Sequence, residues 1–255
     1  MSHQSILKNE PGRPGGYEYD QMTDSEDSHP QFFDHGSRRE RVVREILARI
    51  FTGHFEAGQR MRVESLAEQF EVSATPVREA LVELAGIGIL SLHPNRGAVL
   101  KSFGPPEIHE LVQVRRILEC EAVRGACERF APYELAEFEQ ELERLIAAER
   151  NEEWSEASRR LDSRLHYMIA TRSGSHRLAH EIQRYAILFS SLRDARHAKR
   201  KAQANFSHME ENSEHLEIVR KIAQHDVQGA VDAMAYHVNQ SAHVLIKDLF
   251  GEGPG

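Results

Sequence analysis

Apolar residues recur at helical spacing in the segment that follows residue 37. The stripe from Arg38 to Phe51 predicts a first helix, and a second helix of about two turns follows a short extended piece at residues 61–63. A third helix is predicted to begin at Ser73, a plausible N-cap. Two short strands, at 90–92 and 98–100, then flank a turn. Three helices followed by a hairpin predict a winged helix-turn-helix.

Beyond residue 106 only helical periods remain. They predict six helices, over about residues 106–130, 132–150, 155–172, 175–200, 208–224 and 226–249. Short joints between helices favour antiparallel neighbours in a bundle. The predicted fold class is therefore mainly α, with an N-terminal winged helix-turn-helix and a C-terminal antiparallel all-α bundle.

Composition divides the chain into five segments. Residues 1–36 carry a net charge of −5, are rich in glycine and proline and lack any apolar period, so they are expected to form a disordered tail. The winged helix-turn-helix is expected over 37–102, a linker over 103–106, the helical domain over 107–250 and a second disordered tail over 251–255. Ten Lys and Arg against eight acids make 37–104 the only net-positive block of a chain whose formal net charge is −8.

Several classes of protein are excluded by these patterns. No apolar run is long enough to span a membrane, and the first 36 residues lack the basic start and apolar stretch of a signal peptide. Cys120 and Cys127 lie seven residues apart in a helical pattern, about 10 Å along the axis, too far for a disulfide without unwinding. The sequence therefore predicts a protein of the reducing cytoplasm that does not associate with membranes.

Polar residues at the start of the third helix and at the wing tip suit DNA. A recognition helix enters the major groove with its N-terminal residues, and a hydroxyl, a helix N-terminus and an arginine fork suit phosphates and guanine. The candidate DNA-binding residues are Ser73, Thr75, Arg78, Asn95, Arg96 and Gly97. From the residues alone, an ordinary surface helix and hairpin remains the alternative.

Ionisable residues lie at or beside the apolar face of three helices in the C-terminal segment. Asp162 and His166 are one turn apart beside one stripe, His215 aligns with a second and His237 falls within a third. A single such histidine is usually a core residue with a hydrogen-bond partner, but unpaired polar groups in an interior cost roughly 2–7 kcal/mol, so one shared divalent ion is the competing explanation.

Other histidines are weaker candidates. His176 and His180 also lie one turn apart, but they lack an acidic or histidine companion and are expected to be a surface pair. His208, His225 and His243 are expected to be solvated or to cap helices.

The third helix and the wing carry a familiar motif. The run from Val72 to Leu81, VSATPVREAL, and the run from Leu84 through residues 94–98 resemble the signature of GntR-family transcription regulators. The resemblance covers residues 38–101 and implies DNA binding. Ala74 stands where that family usually has a DNA-contacting arginine, and Ala57 stands where it usually has proline.

The helical segment also resembles a family, the FadR subgroup with its FCD ligand-binding domain. The resemblance lies in Arg115 to Glu119, Asp162-x3-His166, Ser173-Gly174, Glu214-His215 and His237, and six helices resemble the VanR-like branch. It implies that Asp162, His166, His215 and His237 hold a divalent transition metal, with Zn first and Ni, Mn or Fe as alternatives. Two departures are Ser175, where Asn is common, and His225, where Gly is common.

The same resemblance implies an effector and an assembly. A small carboxylic acid would complete the shell of the metal, and Arg115 would clamp a carboxylate with its planar fork, unless it forms only a surface ion pair. A homodimer joined through the helical domain would bind a palindromic operator in double-stranded DNA.

These expectations lead to one function and two alternatives. The predicted function is a DNA-binding transcriptional regulator whose operator affinity is controlled by a small organic acid bound at the metal. One alternative is a metal-dependent enzyme, which lacks an obvious general base and leaves the winged segment unexplained. The other is a constitutive DNA binder with a purely structural metal.

Overall fold

The computed structural model describes residues 38–94, 97–202 and 209–251. The tail expected over 1–36 lies outside the described residues, as do Asn95, Arg96 and His208. Within the described part the fold is mainly helical, and the predicted fold class is confirmed.

The N-terminal half is a winged helix-turn-helix. Its elements are α1 (Arg38–Phe51), β1 (Arg60–Met61), α2 (Val63–Gln69), α3 (Ala74–Gly86), β2 (Leu90–His93) and β3 (Gly97–Leu100). The apolar stripe of α1 is its buried face, with Val42, Val43, Ile46 and Leu47 fully shielded from solvent. The three predicted helices and the hairpin are thus confirmed.

The wing is a small antiparallel sheet of three strands in the order β1-β3-β2. Leu90 pairs with Leu100 and His93 with Gly97 in the hairpin, while Arg60 of β1 pairs with Val99 on the other edge of β3. The extended piece expected at 61–63 is shorter than predicted, because Val63 already begins α2.

The C-terminal half consists of helices joined by short connections. They are α4 (Pro105–Ala126), α5 (Pro132–Ala147), α6 (Glu152–Arg172), α7 (His176–Ala202), α8 (Met209–Ala223) and α9 (Val227–Phe250). The largest differences from the predicted bounds are at the end of α4, which comes four residues early, and at the end of α5 and the start of α6, which each come three residues early. Asn151 explains the early start of α6, because its side chain accepts a hydrogen bond from Trp154 N (2.8 Å) and caps the helix there.

Helix α4 lies at the centre of this half and packs against α6, α7 and α9. At Gly125 it meets the C-cap residue of α6, since a Cβ there would lie 2.0 Å from the carbonyl oxygen of Ser173. Only glycine allows the two backbones to come this close. The position therefore sets the spacing between α4 and the end of α6.

None of the helices in the described part is both long and apolar enough to cross a lipid bilayer.

Candidate metal centre and DNA-binding surface

Four side chains from three helices of the C-terminal half meet in its interior. Helix α6 supplies Asp162 and His166, α8 supplies His215 and α9 supplies His237. One nitrogen or oxygen atom from each lies within 4.8 Å of the corresponding atom of the other three, and all four residues are buried. The structure thus brings together the four residues that the sequence nominated as ligands.

The distances within this cluster suit a single cation. His237 Nε2 lies 3.3 Å from Nε2 of both His166 and His215, and Asp162 Oδ1 lies 3.4 Å from His215 Nε2 and 3.7 Å from His166 Nε2. Two donors that each lie about 2.1 Å from one zinc ion would be about 3.4 Å apart at the tetrahedral angle. The four donor atoms are therefore spaced as ligands of one small ion would be.

Two carboxylates orient two of the imidazole rings. His166 Nδ1 bonds to Glu119 Oε2, and His237 Nδ1 bonds to Glu214 Oε2 at 2.8 Å. Each carboxylate accepts a hydrogen bond from Nδ1–H, so Nε2 of the same ring is unprotonated and faces the cluster. The arrangement is the carboxylate–histidine pairing that typically supports metal-bound histidines.

Asp162 divides its two oxygens between two neighbours. Oδ1 faces the histidines, whereas Oδ2 lies 2.6 Å from Nη2 of Arg193 on α7. His215 differs from the other rings, since its buried Nδ1 has no hydrogen-bond partner in the described part of the chain. The cluster is therefore anchored on the Asp162 side by a cation and on two rings by anions.

Arg115 of α4 borders the cluster from the interior. Its Nε donates to Glu119 Oε1 (2.5 Å), its Nη2 lies 3.2 Å from His166 Nε2, and its guanidinium carbon stacks 4.6 Å above the Phe189 ring. Arg115 is only 6% exposed. Arg115 does pair with a nearby acid, Glu119, but the pair is buried beside the histidines and not at the surface.

The charges of the cluster are matched to cation binding. Burial raises the pKa of Asp162 and Glu119, but Arg193 with His215 and His166 at the first, and Arg115 with His166 at the second, together hold both pKa values well below their usual range. Burial, together with His215 and His166, holds the pKa of His237 well below its usual value. The carboxylates are thus anionic and His237 is neutral near pH 7, the forms that bind metals.

The other histidines of the described ranges are not part of this cluster. His176, His180 and His243 are exposed, as expected. His225 follows α8 with φ of 54° and its Nδ1 lies 2.9 Å from the carbonyl oxygen of Cys127. That left-handed backbone favours glycine.

Sequence reasoning missed three supporting residues. Glu119 and Glu214 stood in the quoted motifs without a role, and Arg193 was not noticed. Glu119 could have been found from its i,i+4 spacing to Arg115, which places both on one face of α4. No local signal pointed to Arg193, because its partner Asp162 belongs to another helix.

The DNA-binding candidates lie at the surface of the N-terminal half. Ser73, at the N-cap position of α3, makes no side-chain capping bond, and Thr75 and Arg78 are exposed on the opening turns. Within the described residues, Arg78 has no acidic partner. Gly97 begins β3 with φ of 74°, and the two residues before it are outside the described ranges.

Each half of the chain matches a protein-family model. The model of the bacterial regulatory proteins of the gntR family matches residues 38–100, and the FCD domain model matches residues 110–240, about half of the chain.

The relatives of this chain are transcriptional regulators. The HTH-type transcriptional regulator McbR of Escherichia coli is 34% identical over 115 residues, a match that covers 45% of this chain and only 52% of McbR. The uncharacterized HTH-type transcriptional regulator YdhC of Bacillus subtilis is 26% identical over 206 residues, 80% of this chain and 88% of YdhC.

A solved structure shares the arrangement of both halves. The E. coli McbR/YncC structure aligns with a TM-score of 0.61 at 25% identity, covering 83% of this chain and 98% of that one. The expectation of a DNA-binding regulator rather than an enzyme agrees with all these relatives. The chain belongs to the GntR family of bacterial regulatory proteins and carries an FCD domain.

Proposed function

We propose that this protein is a transcriptional regulator whose affinity for its operator is controlled by a small organic acid bound at a divalent metal. The observation that carries the proposal is the buried cluster of Asp162, His166, His215 and His237 behind a winged helix-turn-helix. We assign DNA binding to residues 37–102, a linker to 103–106 and effector binding and dimerisation to 107–250. Membership of the FadR subgroup and its VanR-like branch is part of the proposal.

DNA binding is supported by the exposed opening of α3. The hydroxyl of Thr75 and the guanidinium of Arg78 are free to reach phosphates or the paired acceptors of guanine. Ser73 and the wing tip, with Asn95, Arg96 and Gly97, would add contacts to the backbone or an adjacent groove. A homodimer would present two such helices about one DNA turn apart, which is the spacing of the half-sites in a palindromic operator. We place this activity in the cytoplasm.

Metal binding is supported by the chemistry of the donor set. Three imidazole nitrogens and one carboxylate oxygen suit Zn first, and Ni, Mn or Fe as alternatives. Glu119 and Glu214 hold the Nδ1–H side of His166 and His237, so Nε2 of each ring is left unprotonated on the side of the cluster, as a metal ligand requires. A bound divalent metal would supply a Lewis-acidic position for an anionic ligand.

The position of Arg115 supports a carboxylic acid as the effector. Its fork reaches the edge of the cluster at His166, and Glu119 and the Phe189 ring hold it in place. A planar guanidinium binds a carboxylate with two parallel hydrogen bonds. Regulation is favoured over catalysis because Glu119 and Glu214, which border the cluster, already bond to its histidines.

Selection from a random duplex pool by the purified full-length chain, with and without added Zn²⁺, would test this function. We expect a palindromic sequence to be enriched, the protein to contain about one metal per chain, and one or more small carboxylic acids to change the affinity for the selected duplex. Enrichment without any response to the acids would leave a constitutive DNA binder with a structural metal. Failure to retain any duplex would contradict the proposal.

A further inference from the structure

Helix α7 contacts both halves of the chain. It packs against α6 and α4, which carry the metal cluster and Arg115, and against α1 of the winged helix-turn-helix. We propose that α7 couples the cluster to the DNA-binding domain, with Arg193 as the positioning residue at the cluster and Ser190 as the link to α1. This inference rests on the proposed function, since it names the element through which the metal site would act on DNA binding.

The cluster end of the coupling is Arg193. Its guanidinium lies 2.6 Å from Asp162 Oδ2 and donates to Ser163 Oγ at 3.2 Å, so it grips α6 at two successive residues. Asp162 uses its other oxygen toward the histidines. A rotation of the Asp162 carboxylate would therefore change its contacts with the histidines and with α7 at the same time. One turn earlier on α7, the ring of Phe189 stacks against the guanidinium of Arg115. Helix α7 therefore also contacts the arginine that we assign to effector binding.

The DNA-binding end of the coupling lies one turn away. Ser190 accepts a hydrogen bond from Arg44 Nη1 of α1 at 2.9 Å. Nearer the start of α7, the side chain of Arg184 reaches the last residue of α3, because a Cβ on Gly86 would lie 2.9 Å from Arg184 Nη2. Helix α7 thus touches both α1 and the C-terminal end of the recognition helix.

The short separation along α7 makes the coupling direct. Ser190 and Arg193 are three residues apart, about 4.5 Å of rise in one continuous helix, so a shift of α7 at one is a shift at the other. The buried stripe of α1 belongs to the core of the winged domain, and Arg39 of α1 also pairs with Glu83 of α3 at 3.1 Å. A movement of α1 is therefore passed to the recognition helix, since a close-packed core transmits displacement.

Two adjacent serines provide a matched test. Ser190 and Ser191 both donate to the carbonyl oxygen of Ile187, at 3.0 and 2.8 Å, but Ser190 also accepts from Arg44. Hydrogen–deuterium exchange would be measured on two samples of the full chain, one made metal-free with EDTA and one with Zn²⁺ as the only added ligand. In the wild type and in Ser191→Ala, Zn²⁺ should change exchange in α1 and α3 about twofold or more. In Ser190→Ala it should change exchange around the cluster as before, but the change in α1 and α3 should be clearly smaller than in Ser191→Ala.

A second pair of variants tests Arg193. Arg193→Gln should weaken Zn²⁺ binding about 10–100-fold, the usual cost of losing a group that orients a ligand, while Arg193→Lys should restore part of the affinity because it keeps the charge beside Asp162. Circular dichroism would verify that both variants fold. Equal Zn²⁺ affinity in all three proteins would remove Arg193 from this role.

The outcomes separate the inference from the function on which it rests. If the wild type binds neither Zn²⁺ nor DNA, the proposed function fails. If it binds both, but Zn²⁺ leaves α1 and α3 unchanged or Ser190→Ala behaves as Ser191→Ala does, the coupling through α7 is overturned while the function survives.

Discussion

The two halves of the chain place their candidate functional residues differently: the winged domain exposes them, whereas the helical domain buries them. In the winged domain the core is apolar, and the candidate binding residues Thr75 and Arg78 lie outside it, exposed to solvent. In the helical domain the candidate ligands lie inside the core, and buried partners such as Glu119 and Arg193 hold them in place. In the proposed function, one half would bind a large polyanion at its surface and the other would enclose a small cation.

This difference determines what a substitution does in each half. A surface arginine that meets only its ligand can be removed at little cost to the fold. A buried ion pair cannot, because removing one partner leaves the other charged and desolvated. The effects on binding and on stability should therefore separate in the winged domain and coincide in the helical domain, and four variants test this expectation.

The largest effect should come from His215→Ala. If four ligands share the roughly 10–16 kcal/mol typical of structural zinc sites, loss of one should weaken binding by at least about 100-fold. Competition with a chromogenic chelator would measure the Zn²⁺ affinity. The exposed His180→Ala is the matched control and should bind as the wild type does. Full metal occupancy of His215→Ala at stoichiometric Zn²⁺ would contradict the ligand set.

Glu119→Gln should be the most destabilising substitution in the metal-free protein. Arg115 would lose the partner of its buried charge and His166 would lose its orienting carboxylate, at a cost of about 3 kcal/mol. Urea unfolding in EDTA would measure it. Glu141→Gln, which removes the partner of Arg164 at the surface, should cost far less. Equal costs for the two variants would mean that burial does not distinguish these ion pairs.

Arg78→Ala should affect DNA binding without affecting the fold. If Arg78 contacts a phosphate or a guanine, its loss should cost about 1–3 kcal/mol of binding free energy and, for a phosphate, reduce the salt slope by about one. Fluorescence anisotropy with the selected duplex at several salt concentrations would measure both. Arg164→Ala removes the same charge from the helical domain and serves as control. Unchanged affinity and slope would remove Arg78 from the interface.

The smallest effect is expected from Ala74→Arg. Position 74 is the first residue of α3, where an added cation can meet a phosphate, so binding should tighten several-fold and the salt slope should steepen by about one. The same anisotropy titration would measure the gain, and Ala74→Gln would control for side-chain length. No gain over Ala74→Gln would show that this helix approaches DNA in another way.

The contrast also explains what could be predicted from the sequence. The winged domain was predictable because its signals are local. Apolar spacing identified α1, and the polar opening of α3 stands within one stretch of chain. In the helical domain the spacing located each helix to within a few residues and nominated the four candidate ligands. The start of α6 was misjudged because a capping asparagine outside the apolar stripe decides it.

The support of the cluster could not be predicted in the same way. Asp162 and Arg193 lie on different helices, and no periodicity relates two residues that meet only through tertiary packing. The sequence also left Arg115 open between a surface and an interior position. Its burial depends on the Phe189 ring of α7 and on Glu119, and only the assembled bundle brings α7 to α4.

The absence of a side chain at Gly125 affects how Glu119 is placed against the His166 ring. Gly125 lies on α4 six residues beyond Glu119, about 9 Å along the helix, where the backbone meets Ser173 at the end of α6. Any other residue there would wedge these helices apart and draw the Glu119 carboxylate away from the His166 ring. The orientation of a buried imidazole thus depends on the small size of a glycine at a helix crossing more than a turn away.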